Sequence, residues 1–312
     1  MQPEQTTIAF VGTGVMGAAM AGHLMDAGYS LRVFNRTKAK AEPLVARGAT
    51  WADSPGQAAM GADLVITMVG FPADVEECYL GAEGIVETAR DGAVLVDMTT
   101  SSPALAEKIA ASAAARGLNV LDAPVSGGDV GARNATLTIM VGGDEAAFER
   151  VAPVFSVMGK SVTLHGGPGS GQHCKMANQI AIAATMLGMC ECLSYAEGAG
   201  LDKARVIETL SGGSAQTWTL TNYGPRVLNG DFAPGFYVKH FVKDLRIALA
   251  SADAMGREMP GLALAKRLYE ALSDGGGSEL GTQALWLLYA RVSEREEAGV
   301  LGGVSVEVAA RE

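Results

Sequence analysis

The run Gly171-Gln172-His173-Cys174-Lys175-Met176-Ala177-Asn178-Gln179 places a lysine just inside a long apolar segment, with amides three and four residues later. Residues at i, i+3 and i+4 share one helix face. Lys175, Asn178 and Gln179 therefore point into the same space. A cation in apolar surroundings costs free energy unless it is paired or used. A desolvated amine gives up its proton more readily, which suits acid–base chemistry. Read alone, Lys175 fits equally a lysine snorkelling to solvent from a helix end, the more common fate of long charged side chains.

A second constellation is Gly12-Thr13-Gly14-Val15-Met16-Gly17, with the spacing G-x-G-x-x-G. It ends an apolar run, Thr7 to Val11, and opens a helical pattern, Val15 to Ala27, which is the context a dinucleotide site requires. The first glycine permits a tight turn, the second lets the backbone approach a pyrophosphate, and the third packs helix on strand. The helix N-terminus adds N–H groups and positive potential. The alternative is a glycine-rich turn without a ligand. At the end of the next strand, where NAD binders place Asp or Glu on the ribose hydroxyls, this chain has Asn35-Arg36-Thr37. No carboxylate is expected there to repel a 2′-phosphate. Arg36 can pair with phosphate in fork geometry, with Asn35 and Thr37 adding hydrogen bonds. This predicts NADP(H) as the preferred cofactor, with NAD(H) possible; the other reading of Arg36 is a solvated loop residue.

These groups need a scaffold, and the first half supplies an alternation of strand and helix patterns. Thr7 to Val11, Ser30 to Phe34, Asp63 to Val69, Ala93 to Met98 and Val120 to Val125 read as buried strands. Ala-rich helices such as Pro103 to Arg116 lie between them, with Pro at a helix start. Continuous apolar strands in such alternation imply a parallel, doubly wound sheet. Thr136 to Val141 and Ser161 to Leu164 add strands around a helix from Glu145 to Val157. After the turn-rich joint Gly166 to Gly171 only helix patterns follow: Gln172 to about Gly200, Lys203 to Leu210, Phe241 to Met255 and Leu262 to Ser273. Asp274-Gly275-Gly276-Gly277 reads as a flexible turn. The expected fold class is α/β: an N-terminal Rossmann-like doubly wound sheet followed by an all-α C-terminal domain. Residues 1–166 form the expected dinucleotide-binding domain, 167–295 a helical substrate and oligomerisation domain, and 296–312 a weakly patterned tail.

Composition bounds the rest. Of 312 residues, 48% are hydrophobic and 19% charged, which reads as globular rather than disordered. The net charge of −10 argues against nucleic acid as a partner. The four cysteines, Cys78, Cys174, Cys190 and Cys192, form no C-x-x-C pair and read as reduced thiols in the cytoplasm. The opening residues lack the basic and apolar regions of a signal peptide. The apolar run Ile180 to Cys190 is short for a membrane span and reads as a buried core helix, so no membrane partner is expected. No metal-ligand cluster is expected: His173 and His240 lack carboxylate or cysteine partners at useful spacing and read as structural. Trp218 fits either packing or the mouth of a site.

With Lys175 and the cofactor turn in view, the chain resembles the β-hydroxyacid dehydrogenase family, that of 3-hydroxyisobutyrate dehydrogenase and tartronate semialdehyde reductase. The resemblance runs from Thr7 to about Tyr289. Four motifs carry it: Phe10 to Leu24, Asp122-Ala123-Pro124-Val125-Ser126-Gly127-Gly128, the Lys175 segment, and Lys243-Asp244-Leu245. It implies Lys175 as general acid/base. It also implies that Ser126, Gly127 and Gly128, following a strand at its carboxyl end, hold a substrate carboxylate. Val69, Gly70, Asp74 and Thr100 correspond to positions that touch the cofactor, and Lys243 to a lysine near the nicotinamide. Gly70 and Asp74 depart from the residues usual in relatives, Pro and Asn. Gln179 stands where some relatives have a second Asn, so either Asn178 or Gln179 is the implied substrate contact.

The resemblance implies reversible hydride transfer between the cofactor and a short 3-hydroxy acid or its semialdehyde, a small anionic substrate. Two rivals remain: a related imine reductase, in which the lysine is commonly replaced, and a dinucleotide-binding module without chemistry. The apolar second domain implies a homo-oligomer, dimer or tetramer.

Overall fold

Strand parity organises the first half of the chain. In β1 (Thr7–Val11), Ile8 and Phe10 join one apolar cluster, while Ala9 and Val11 join another. The same division runs through β4 (Leu64–Thr67), where Leu64 and Ile66 face one cluster and Val65 the other, and through β5 (Val94–Asp97). Successive side chains point to opposite sheet faces, so strands apolar at every position need cover on both sides. In this computed structural model, which describes residues 1–293, both faces are covered. The expected tail at 296–312 lies outside the described residues.

The remaining strands are β2 (Ser30–Phe34), β3 (Thr50–Trp51), β6 (Asn119–Asp122), β7 (Val125–Ser126), β8 (Leu137–Gly143) and β9 (Gly159–Leu164). They form a nine-stranded sheet in the order β3-β2-β1-β4-β5-β6-β8-β7, with β9 paired to β8. From β3 to β6 all pairings are parallel; β8 is antiparallel to β6 and β7. The expected strand from Val120 to Val125 is interrupted. Pro124 has no N–H to give a ladder, and beyond it Val125 and Ser126 change partner, pairing with Ile139 and Thr138 of β8.

Every strand described lies between Thr7 and Leu164, and the chain beyond is helical: Ser170–Gly198, Lys203–Ser211, Trp218–Leu228, Val238–Ala254, Pro260–Leu272 and Trp286–Ser293. By packing, residues 1–179 with 253–255 form one compact unit, and 180–252 with the chain from Gly256 onward form the other. The first turns of the Ser170–Gly198 helix thus pack with the sheet. In the second unit, Asp202 caps the Lys203–Ser211 helix through the N–H groups of Ala204 and Arg205. A Cβ on Gly224 would lie 2.9 Å from Ile207 Cδ1, so Gly224 lets the Trp218–Leu228 helix approach closely. The turn expected at 274–277 is an ordered π-type turn, Ser273–Gly277, with Gly276 at φ 92°.

Candidate active site

The sheet's order of winding reverses between β1 and β4: β2 and β3 lie beyond β1, and the chain then returns to β4 on its other side. Open α/β sheets bind ligands at the carboxyl ends of strands at such a reversal. Gly12 leaves β1 there at φ 98°, in the left-handed region where a side chain is strained. A Cβ on it would also strike the Met68 carbonyl at the end of β4. A Cβ on Gly17 would strike the Gly12 carbonyl and lie 3.1 Å from the Phe10 ring, so this glycine seats the Val15–Asp26 helix on β1. Gly14 has open space before it and, as N-cap, offers no side-chain cap. Val15 stands 62% exposed at the helix start, and the buried Thr13 hydroxyl finds no hydrogen-bond partner among the described residues. Met16 is half-buried behind them. A dinucleotide pyrophosphate fits this cradle, because exposed helix N–H groups are what it requires.

The end of β2 joins the same crevice. Gly12 N–H donates to the Phe34 carbonyl (2.8 Å), and Thr13 N–H to Asn35 Oδ1 (2.9 Å). Asn35 Nδ2 donates to the Thr37 carbonyl at 2.8 Å, bracing the loop beneath Arg36. The Arg36 side chain is 87% exposed, and its Nη1 lies 3.2 Å from Asp74 Oδ1. Here the fold corrects the sequence reading, which placed no carboxylate beside Arg36. Asp74 comes from the third position of the Pro72–Leu80 helix, where its other oxygen accepts the Phe71 N–H at 3.0 Å. The needs of that helix's N-terminus therefore bring a negative charge to the guanidinium.

Next along the crevice, Val69 N–H donates to Thr99 Oγ1 at 3.0 Å, tying the Val69-Gly70 stretch after β4 to the loop after β5 that holds Thr100. Asp97 anchors this loop. Its Oδ1 accepts from Thr67 Oγ1 (2.7 Å) and from the Thr99 N–H (3.0 Å). Burial pushes the Asp97 carboxyl up to about 6, against those hydrogen bonds, with nearby Asp122 raising it further.

Asp122, at the end of β6, accepts the N–H groups of Gly169 (2.8 Å) and Gln172 (2.7 Å) and so caps the Ser170–Gly198 helix. Burial pushes this carboxyl up too, while the Gln172 and Gly169 N–H groups oppose it. One turn on, Lys175 is buried, with 5% of its surface exposed. Gln179 is buried on the same face, and its Oε1 accepts from half-buried Asn178 Nδ2 at 2.7 Å. His173 is exposed. Ser126 ends β7, and Gly127 and Gly128 turn at φ 131° and 62° into the Gly128–Arg133 helix.

The second unit carries Lys243, on the Val238–Ala254 helix, with its Nζ 3.1 Å from Asp244 Oδ1. His240, one turn earlier, is pushed down by burial and by Lys243 and Lys239. Trp218 is 66% exposed and meets Tyr223 edge-on at 5.2 Å, so it is not a core residue. Among the described residues no group of His, Cys, Asp and Glu could hold a metal ion.

Sequence reasoning passed over Thr99, Asp97 and Gln172. Each is polar, buried and bonded across distant segments. A pair of threonines just after an apolar strand ending in Asp was the available signal for the first two.

Residues 7–167 match the model for the NAD-binding domain of 6-phosphogluconate dehydrogenase, and residues 169–289 match that for the NAD-binding part of NADP-dependent 3-hydroxyisobutyrate dehydrogenase. A probable mitochondrial 3-hydroxyisobutyrate dehydrogenase-like protein of Arabidopsis thaliana is 51% identical, over 93% of this chain and 87% of its own. The 2-hydroxy-3-oxopropionate reductase of Escherichia coli is 40% identical, over 89% and 96%. A Mycobacterium tuberculosis 3-hydroxyisobutyrate dehydrogenase structure with L-serine superposes with a TM-score of 0.84 at 32% identity, covering 91% of this chain and 98% of that one. With two family models spanning both halves and such relatives along nearly its whole length, the chain belongs to the β-hydroxyacid dehydrogenase family, the NAD(P)-dependent oxidoreductases of 3-hydroxyisobutyrate dehydrogenase type.

Proposed function

We propose that this protein catalyses reversible hydride transfer between a nicotinamide dinucleotide, NADP(H) preferred and NAD(H) possible, and the carbinol carbon of a short 3-hydroxy acid or its semialdehyde. Lys175 is its general acid/base. The observation that carries this reading is a buried lysine one turn into a helix whose start is bonded to the loop at the sheet's carboxyl edge. When bound, the dinucleotide supplies the hydride chemistry. In oxidation the neutral Lys175 amine takes the substrate hydroxyl proton; in reduction the ammonium returns it. Asn178 or Gln179 orients the same oxygen, and the hydrogen bond between them makes the two amides act as one unit. Ser126, Gly127 and Gly128 hold the substrate carboxylate with backbone N–H groups and one hydroxyl.

Gly12, Thr13, Gly14, Val15, Met16 and Gly17 would hold the dinucleotide pyrophosphate, and Asn35, Arg36 and Thr37 would take a 2′-phosphate, with Asp74 moderating Arg36. Val69, Gly70, Thr100 and Lys243 complete the cofactor set. Residues 1–166 serve mainly the cofactor and lend Ser126, Gly127 and Gly128 to the substrate, while 167–295 serve substrate and assembly and lend Lys243 to the cofactor. Relatives named for hydroxyisobutyrate and for 2-hydroxy-3-oxopropionate support a small anionic substrate. Four free thiols support a cytoplasmic setting. The Ser170–Gly198 helix is long and apolar enough to cross a membrane. Its buried Gln172, Lys175 and Gln179 support a place within the protein instead.

The decisive experiment is Lys175→Ala, assayed against a panel of short 3-hydroxy acids and semialdehydes. Turnover should fall by about 10²–10⁴-fold, as for loss of a general acid/base, while dinucleotide binding persists. Near-normal turnover would exclude Lys175 from the chemistry.

A further inference from the structure

Gln172 lies one turn before Lys175 and is fully buried. Its side chain makes two bonds of opposite sense to one loop: Nε2 donates to the Thr99 carbonyl at 2.8 Å, and Oε1 accepts the Ser101 N–H at 3.0 Å. Its own N–H is held by Asp122 Oδ2 at 2.7 Å. The helix start is pressed onto the sheet, since a Cβ on Gly142 would lie 2.6 Å from the Gly171 nitrogen. The loop is itself fixed, because Thr99 accepts from Val69 N–H and donates its own N–H to Asp97. A single neutral amide therefore joins the loop that carries Thr100 to the helix that carries Lys175. Only a side chain with a donor and an acceptor side by side can satisfy a carbonyl and an N–H two residues apart.

We infer that Gln172 is a positioning residue: its paired hydrogen bonds to Thr99 and Ser101 set the Lys175 amine relative to the dinucleotide seated at the strand ends. The inference rests on the reading of Lys175 as the acid/base. A displaced amine would slow proton transfer without loosening the cofactor, because the pyrophosphate cradle at 12–17 is built separately and the Thr99 loop stays held to Val69 and Asp97 without Gln172. Misplacement by about 1 Å is enough to cost on the order of 100-fold in rate.

The test uses Gln172→Met, similar in length but unable to make either bond, and Gln172→Glu, whose protonated carboxyl makes both. Each is made in the wild-type and Lys175→Ala backgrounds. In Gln172→Met, kcat should fall about 10- to 100-fold, with NADPH affinity, read by fluorescence titration, within about threefold of wild type. The same substitution should have no further effect on kcat once Lys175 is absent, because a residue that acts through another shows full coupling in a double-mutant cycle. Gln172→Glu should approach wild-type turnover at low pH and lose it as pH rises and the carboxyl ionises beside Asp122 and Asp97. This second variant decides the matter if the methionine variant does not fold. A normal kcat in Gln172→Met, a parallel loss of NADPH affinity, or an additive effect with Lys175→Ala would each overturn the inference. If Lys175→Ala itself turns over normally, the acid/base reading fails first, and that outcome is separable from all of these.

Discussion

In the proposed cofactor reading, Arg36 and Asp74 set the terms on which a 2′-phosphate binds: the phosphate would have to take Arg36 from a carboxylate 3.2 Å away. Asp74 stays in place because its second oxygen caps a helix. Arg36→Ala should weaken NADPH binding by about 10-fold or more, as expected for lost charge-assisted bonds, and leave NADH nearly untouched. Asp74→Asn, which keeps a capping oxygen, should tighten NADPH by up to about fivefold, the scale of an exposed ion pair. Titration of both variants with both cofactors checks this; equal catalytic efficiency of the wild type with NADP(H) and NAD(H) would contradict the preference. Asp97 gives a pH signature. Its carboxyl is pushed up to about 6 by burial, so the folded protein holds this proton to higher pH than the unfolded chain. The stabilising contribution is complete below about pH 4, near the ordinary carboxyl value, and is lost as pH rises through about 6. Asp97→Asn removes that loss. The stability of the variant minus that of wild type should therefore grow by about 1–3 kcal/mol from pH 4 to pH 7, measured by urea unfolding at fixed ionic strength. A difference that stays flat would show that Asp97 does not retain its proton.

The Ser170–Gly198 helix offers a matched pair of glycines. A Cβ on Gly171 would collide with the Met140 and Asp122 carbonyls, whereas one on Gly188 would meet open space. Gly171→Ala should lower stability by about 1–3 kcal/mol through overpacking and reduce turnover by shifting the helix start. Gly188→Ala should raise stability by up to about 1 kcal/mol through helix propensity. Thermal unfolding of both variants compares them directly, and equal melting temperatures would deny the close contact. β1 and β2 were legible to their ends, because apolar runs stop against turn residues. The face of Lys175, Asn178 and Gln179 followed from helical spacing alone. The Trp218–Leu228 helix was missed, since Gly224-Pro225 reads as a break, yet Gly224 serves close packing on Ile207. The split of β6 from β7 at Pro124 depends on a competing partner strand, β8, that local pattern does not reveal. The Arg36–Asp74 pair spans 38 positions and the Gln172 bonds span 71 and 73. No local periodicity links residues so far apart; only the assembled sheet brings them together.

At the scale of the whole molecule, the second unit leaves Tyr195, Leu201 and Trp218 exposed on or beside its helices. Aromatic and aliphatic groups of this kind are enriched where subunits meet, and the family reading predicts a dimer or tetramer. Light scattering should return a mass of two or four chains, and Tyr195→Glu should shift it downward; a monomeric wild type at micromolar concentration would refute the assembly. The sheet itself ends differently on its two sides. One margin is β3, only two residues long, and the other is β9, where Lys160, Ser161 and Thr163 face solvent. Short or lysine-bearing margins make poor templates for a foreign strand. Copies of this protein are thereby steered away from ribbon-like stacking and fibril growth, so high concentrations in a crowded cell should not seed ordered aggregates from the Rossmann half.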